Sequence, residues 1–218
     1  EFLIPLVTKV PVRTLTEFYL GAEPIWYDIF LGGLHKTKHF SVAQNSIEGG
    51  NNCLLVGAAV TGKSTLLRLL ANSVPAPIQP LFIEELTPEK ARLLRNDIDA
   101  EGVKTAAFID NAADAWEAIE VLSASDNIQI VAAERDYIFD SVAHRFARGK
   151  FEIFDVSGLS SFDVQAILDK IPSGIQRLSN KQFQGPLTGN FDPTYFEVLD
   201  SSIAGHLLAD RFIEALKE

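Results

Sequence analysis

The sequence has a single cysteine, Cys53, and no methionine among its 218 residues. One thiol set in an apolar run can make neither an intrachain disulfide nor a Cys-based zinc site, which fits a reducing cytoplasm. No stretch approaches the roughly 18 consecutive apolar residues of a membrane-spanning helix, and the N-terminus lacks a basic segment followed by an apolar signal. A soluble, cytoplasmic protein is expected. Basic residues are also few: 19 Lys and Arg stand against 29 Asp and Glu, a formal charge of −10. That balance disfavours the broad basic surface that neutralises DNA or RNA phosphates. With no Met and both ends falling inside plausible elements, the chain reads as an excerpt of a longer polypeptide, or as a sequence that has lost its methionines and with them some spacing.

What is present is enough apolar material, 47% of residues, to bury a substantial core. From position 51 onward, short apolar runs alternate with longer helical patterns, as βαβ units do around a parallel sheet. Strands are expected near 53–56, 80–84, 105–110, 128–133 and 151–155, with helices near 63–73, 87–99, 112–123, 136–147 and 160–171. Thr87 is placed to cap a helix with Pro88 at its first position, and Ser160 to cap another with Asp163 three residues on. The first 48 residues are aromatic and weakly periodic, an N-terminal segment expected to pack on a core at 49–157; residues 158–218 read as a small helical lid subdomain. The fold class that results is α/β, with a central, mostly parallel five-stranded sheet flanked by helices.

Gly57-Ala58-Ala59-Val60-Thr61-Gly62-Lys63-Ser64 satisfies G-x-x-x-x-G-K-[ST], between an apolar strand pattern and a leucine-rich helix. The pattern should arise by chance in roughly one chain in a hundred of this length. Its residue types suit one task. The two glycines let successive N–H groups turn inward around an anion, and the helix that follows adds its positive dipole end. Lys63 supplies a point charge for β- and γ-phosphates, Ser64 a hydroxyl for Mg2+, and Thr65 a contact for the α-phosphate.

Such a loop needs a carboxylate at a strand end to hold the magnesium shell. In "KTAAFIDNAAD" the apolar run ends at Asp110, which fits a Walker B aspartate as well as a helix N-cap. Many P-loop ATPases carry a second acid directly after this aspartate to polarise water. Here that position is Asn111, an amide that can orient water but is a poor base. Asp114, one turn on, can substitute or simply favour a helix N-terminus. Slow hydrolysis is the expectation. The next strand delivers Glu134 and Arg135 to the edge of the sheet where ligands bind. There an arginine can stabilise or sense phosphate charge, or pair with the neighbouring glutamate on the surface.

The order "GAAVTGKS", "FIDNAAD", "VAAERD" and "FDVSGLSSFDVQAIL" resembles the STAND class of AAA-related signalling NTPases, bacterial antiphage members above all, over residues 17 to 215. The resemblance implies an ATP- or ADP-binding switch that uses Mg2+ and hydrolyses slowly. It implies flanking effector and sensor domains in a longer chain, and homo-oligomerisation on activation. It matches Arg135 to an arginine that reads the γ-phosphate. "EFYLGAEPIWYDIF" is similar to the segment lining the adenine pocket, which implies Glu23 and Trp26 near the nucleotide. "GAE" stands where such proteins carry "GRE", so the usual arginine is missing. "SGLSSFDVQAIL" looks like the start of the lid, and Pro186 in "GPLTG" loosely resembles the lid proline.

Rival readings are a housekeeping ATPase or nucleotide kinase, against which the lack of "LSGGQ" and of arginine-rich lid motifs counts. Others are a DNA-linked AAA+ ATPase of the origin-recognition or transposon-helper type and a regulatory domain that has lost hydrolysis. The i, i+4 pair His35 and His39 in "HKTKH" reads as a solvated turn rather than a metal site. His144, Arg145 and Arg148 suit a helix C-terminus, and Cys53 suits core packing.

Overall fold

Apolar runs buried on both faces of a sheet need helical crossovers to cover them, and the chain alternates accordingly. The computed structural model describes residues 12–19, 22–59 and 61–171. Expected features beyond residue 171, Pro186 among them, lie outside the described residues. In chain order the elements are α1 (Leu15–Tyr19), α2 (Trp26–Phe30), α3 (Lys38–Glu48), β1 (Cys53–Gly57), α4 (Lys63–Ala71), β2 (Gln79–Ile83), α5 (Pro88–Glu101), β3 (Thr105–Ile109), α6 (Trp116–Leu122), β4 (Ile128–Arg135), α7 (Asp136–Arg148), β5 (Glu152–Asp155) and α8 (Ser161–Leu168). They divide into two compact units. One comprises His39–Ala58 and Gly62–Ser157; the described residues of the other fall within 7–38, 59–61 and 158–218.

The first unit holds a five-stranded, wholly parallel sheet in the order β2-β3-β4-β1-β5. Period-2 alternation sends Leu54 and Val56, Ala107 and Ile109, and Ile130 and Ala132 to one face. There they join Ala91, Leu94 and Ile98 of α5, Trp116, Ile119 and Leu122 of α6, and Phe146 of α7. Phe146 is fully buried, edge-on to Trp116 at 4.8 Å and to Phe151 at 5.3 Å between ring centroids. The alternate residues Cys53, Leu55, Ala106, Phe108, Val131 and Ala133 are buried as well, and α4 packs against β1, β2, β3 and β4. Burial pushes the Cys53 thiol up to about 12, so it behaves as a small core hydrophobe.

Local signals explain the helix ends. Thr87 Oγ1 accepts from Lys90 N at 3.3 Å with Pro88 in the first turn, and Gly102 closes α5 at φ +66. Weak periodicity before residue 50 conceals three helices among the described residues. α3 has Phe40, Ala43 and Ile47 buried at helical spacing, and its Ser46 Oγ donates to Glu152 Oε2 at 2.6 Å. Glu152 also accepts from Asn51 Nδ2 at 2.9 Å, which ties the end of α3 to the edge strand β5.

In the second unit, Arg13 forms an ion pair with the fully buried Asp28 and donates to the Glu23 carbonyl at 2.6 Å. Asp28 in turn accepts from Ile25 N at 2.9 Å, fixing the entry to α2. The expectation of a solvated turn at "HKTKH" gives way to a different arrangement. His39 lies in α3, while His35 Nε2 sits 2.9 Å from Asp163 Oδ1 and only 13% of its side chain is exposed. Asp163 serves three partners: Lys38 N donates to it at 3.0 Å and Ser160 Oγ at 2.6 Å, besides His35. Ser160 Oγ returns the bond by accepting from Asp163 N at 3.1 Å, a capping box for α8. Proximity in sequence suggested the cap, but His35 is 128 residues away.

Burial pushes the Asp163 carboxyl up, but hydrogen bonds from Ser160, His35 and the Ser160 and Lys38 backbone outweigh it, leaving the group below its ordinary value. A carboxylate lowered in the folded state contributes stability above its unfolded pKa of about 3.9 and loses it as pH falls through the folded value. Urea unfolding should therefore show Asp163→Asn less stable than the native protein by a constant margin from pH 7 to 5, narrowing below about pH 4. A margin that stays unchanged down to about pH 2 would contradict this account.

Candidate phosphate and metal site

β1 is buried throughout and ends at Gly57, where the backbone leaves the sheet. Gly62 takes φ +81, a left-handed conformation that glycine reaches without cost, and it aims the chain into α4. Leu66 N donates to Gly62 O at 2.8 Å, closing the first turn. Lys63 is buried, only 8% exposed. Its Nζ donates to Gly57 O at 2.8 Å and to Ala58 O at 2.7 Å, so the ammonium is held where the chain leaves β1. Ala58, Ser64 and Thr65 are half-buried beside it. Ala59 and Thr61 belong to the second unit by the division above, and Val60 lies outside the described residues.

Ser64 Oγ donates to Asp110 Oδ2 at 2.6 Å. A hydroxyl from the start of α4 and a carboxylate from the end of β3 are thus neighbours, both hard oxygen donors of the kind Mg2+ takes. Among the described residues no group of three or more His, Cys, Asp and Glu could hold a metal. That does not conflict with Mg2+, which keeps several waters and uses one or two protein oxygens plus phosphate. Arg68, one turn past Ser64, donates to Ser64 O at 3.2 Å and lies 4.8 Å over the Phe82 ring, steadying this turn.

After Asp110 the chain does not enter a helix at residue 112 as its pattern suggests; α6 begins at Trp116. Asn111 takes the left-handed region at φ +52, with its N–H donating to Asp110 Oδ1 at 3.1 Å. Ala112 N then donates to Ala133 O at 3.0 Å and Ala113 N to Glu134 Oε2 at 2.7 Å. Amides that would have started a helix are bound to β4 instead. Asn111 and Asp114 are both exposed.

Arg135 follows Glu134 at the end of β4, in register with Gly57 of β1. The alternative of a surface ion pair between the two is not what forms. Glu134 is 2% exposed, with Oε1 accepting from Arg135 N at 2.7 Å. The exposed Arg135 guanidinium donates to Tyr137 Oη at 3.1 Å. That bond, with the negative charges of Glu134 and Asp110, raises the Arg135 pKa above its ordinary value. Nothing in a linear pattern distinguishes Glu134 from an exposed acid, because one of its two partners, Ala113 N, comes from the β3–α6 turn. Of the remaining sequence-derived candidates, Glu23 and Trp26 lie in the second unit: Glu23 is exposed, and Trp26 is buried and stacked on Phe30 at 6.1 Å. Arg145 lines a polar pocket of about 160 Å³ with Asp114, Trp116 and Glu117, whereas His144 and Arg148 are exposed.

No family model matches the chain, and no characterised protein matches it by sequence. Solved structures do. Yeast (S. cerevisiae) Hsp104 in an extended complex with casein superposes with a TM-score of 0.51 at 15% identity, over 69% of this chain and 32% of that one. Closed Hsp104 with ATPγS and casein gives 0.52 at 14% identity, over 69% and 32%. PCH-2 of C. elegans gives 0.50 at 12% identity, over 89% of this chain and 72% of that one. The likeness is one of fold, a five-stranded parallel sheet flanked by helices. The chain spans about a third of the length of the Hsp104 chains it matches.

The left-handed turn gives a direct check on this geometry. Asn111→Gly should cost about 1 kcal/mol or less, while Asn111→Val should cost about 1–2 kcal/mol, since a β-branched residue resists positive φ. Denaturant midpoints at constant slope would measure both. Equal losses would mean that residue 111 is not left-handed.

Proposed function

We propose that this chain is the nucleotide-binding module of a switch protein, holding ATP or ADP with Mg2+ and turning it over slowly if at all. The observation that carries the reading is the Ser64–Asp110 hydrogen bond at 2.6 Å, with Lys63 Nζ held on the Gly57 and Ala58 carbonyls. Gly57 to Thr65 would supply backbone N–H groups and the helix N-terminus to phosphate, with Lys63 turning from carbonyls to phosphate oxygens. Ser64 would ligate Mg2+ directly, and Asp110 would hold its water shell. Bound Mg2+ would neutralise phosphate charge and orient the chain end of the nucleotide.

Slow turnover is supported by Asn111, which follows Asp110 and carries no base, and by the exposure of Asp114. A regulatory domain without hydrolysis is the nearer variant of this reading. Arg135 is placed on the strand next to the phosphate loop and is suited to report whether a γ-phosphate is present. The likeness to signalling NTPases extends the proposal: nucleotide state would bias a closed form against an open, oligomerising one, in a longer cytoplasmic protein with effector and sensor domains, of the antiviral-defence kind. Such switching needs only differential affinity for two states. No described helix is long and apolar enough to cross a membrane. A DNA-linked role is disfavoured by the charge of −10.

Calorimetry tests the reading. Native protein should bind ATP and ADP more tightly with Mg2+. Lys63→Ala should weaken both by roughly ten- to a hundredfold, the loss of charge-assisted bonds to phosphate. Asp110→Ala should remove the Mg2+ enhancement while leaving metal-free ADP affinity nearly intact. Absence of any nucleotide affinity in native protein would end the proposal, and equal loss of both effects in the Asp110 variant would move the metal site elsewhere.

A further inference from the structure

A carboxylate buried to 2% exposure at the end of a central strand is costly unless its oxygens are fully used. Glu134 is in register with Val56 of β1 on one side, and on the other it faces the turn that follows Asp110. Its two oxygens are divided between the turn after β3 and the last residue of its own strand. Oε2 accepts from Ala113 N and Oε1 from Arg135 N, each at 2.7 Å, short distances of the kind found when an ionised acceptor meets a backbone donor.

We infer that Glu134 is a positioning residue that locks the Asp110–Asp114 turn to the backbone of Arg135, so that the metal-holding and phosphate-reading sides of the site respond as one. The inference rests on the nucleotide-binding reading above. The turn has several internal constraints, namely Asn111 in the left-handed region and Asp114 N donating to Asn111 O at 3.2 Å. What binds it to the neighbouring strand is Ala112 on the Ala133 carbonyl and Ala113 on Glu134. A displacement of Asp110 would therefore pull on Glu134, and through Arg135 N on the arginine. Glu134 is not cast as the base that Asn111 fails to provide, because at 2% exposure its carboxylate offers attacking water little access.

Glutamine tests this without changing volume. It offers one acceptor oxygen and one NH2 in place of two acceptors, so either Ala113 N or Arg135 N must face a donor. For Glu134→Gln, ADP affinity without Mg2+ should stay within about threefold of native. The Mg2+ enhancement and the ATP-to-ADP affinity ratio should each fall about tenfold, the scale of one mispaired buried donor. A purely structural role would lower all affinities together along with the melting temperature, and that result, or no change in either ratio, overturns the inference.

Amide exchange in the nucleotide-free native protein separates this failure from failure of nucleotide binding and needs no variant. Ala113 and Arg135 amides should both be protected, and where Glu134→Gln folds, at least one should open. Free exchange of either amide in the native protein overturns the lock even if nucleotide binds. Protection with no nucleotide affinity would leave the lock standing and remove the proposed function.

Discussion

Strands β3, β4 and β1 lie side by side with no solvent face, so none of them can carry a polar side chain towards helix or core without a penalty. Each runs apolar through its middle, Cys53–Val56 in β1, Ala106–Ile109 in β3 and Ile130–Ala133 in β4, and then changes character where it emerges: Gly57 at the end of β1, Asp110 after β3, Glu134 and Arg135 at the end of β4. Parallel alignment brings all of these emergence points to one edge. The gathering of a glycine-ended strand, a carboxylate and an arginine in one place is thus a consequence of burial before it is a matter of chemistry. The hydrogen bond between Ser64 and Asp110 spans the space that this alignment leaves.

The same constraint explains what the sequence made legible. An apolar run flanked by Gly-rich loop and helix has few alternatives, and fixed spacing within the phosphate loop leaves little freedom for Gly62, Lys63 and Ser64. Caps at Thr87 and Ser160 depend on residues three positions away, well within the reach of a linear reading. The features that escaped all depend on distant partners. α6 starts late because Ala112 and Ala113 give their N–H groups to β4, a choice no helical pattern records. Glu134 looks like any surface acid until the turn after Asp110 closes over it. His35, read as part of a solvated turn, meets Asp163 from the far end of the chain. The three N-terminal helices escaped for another reason: two of them are five residues long, too short for periodicity to show.

Holding and sensing nucleotide place different demands on a site than consuming it. Consumption needs a base with a free lone pair aimed at water. Two acids at this edge are already hydrogen-bonded: Asp110 accepts from Ser64 Oγ and Asn111 N, and Glu134 accepts from Ala113 N and Arg135 N. Carboxylates used in this way confer rigidity rather than reactivity. A rigid edge is useful to a two-state device, because small ligand-dependent shifts are then transmitted to neighbouring loops instead of being absorbed locally.

The backbone at Asn111 also bears on how such a module could evolve. A left-handed position accepts Asn, Asp and Gly readily and other side chains at a cost. An acid could enter there as aspartate, by a minor edit of the amide already present, whereas glutamate would have to deform the turn that Asp110 depends on. The loop geometry therefore acts as a filter on descent: it keeps a quick mutational path open towards a shorter-armed acid and narrows the one towards the longer-armed acid.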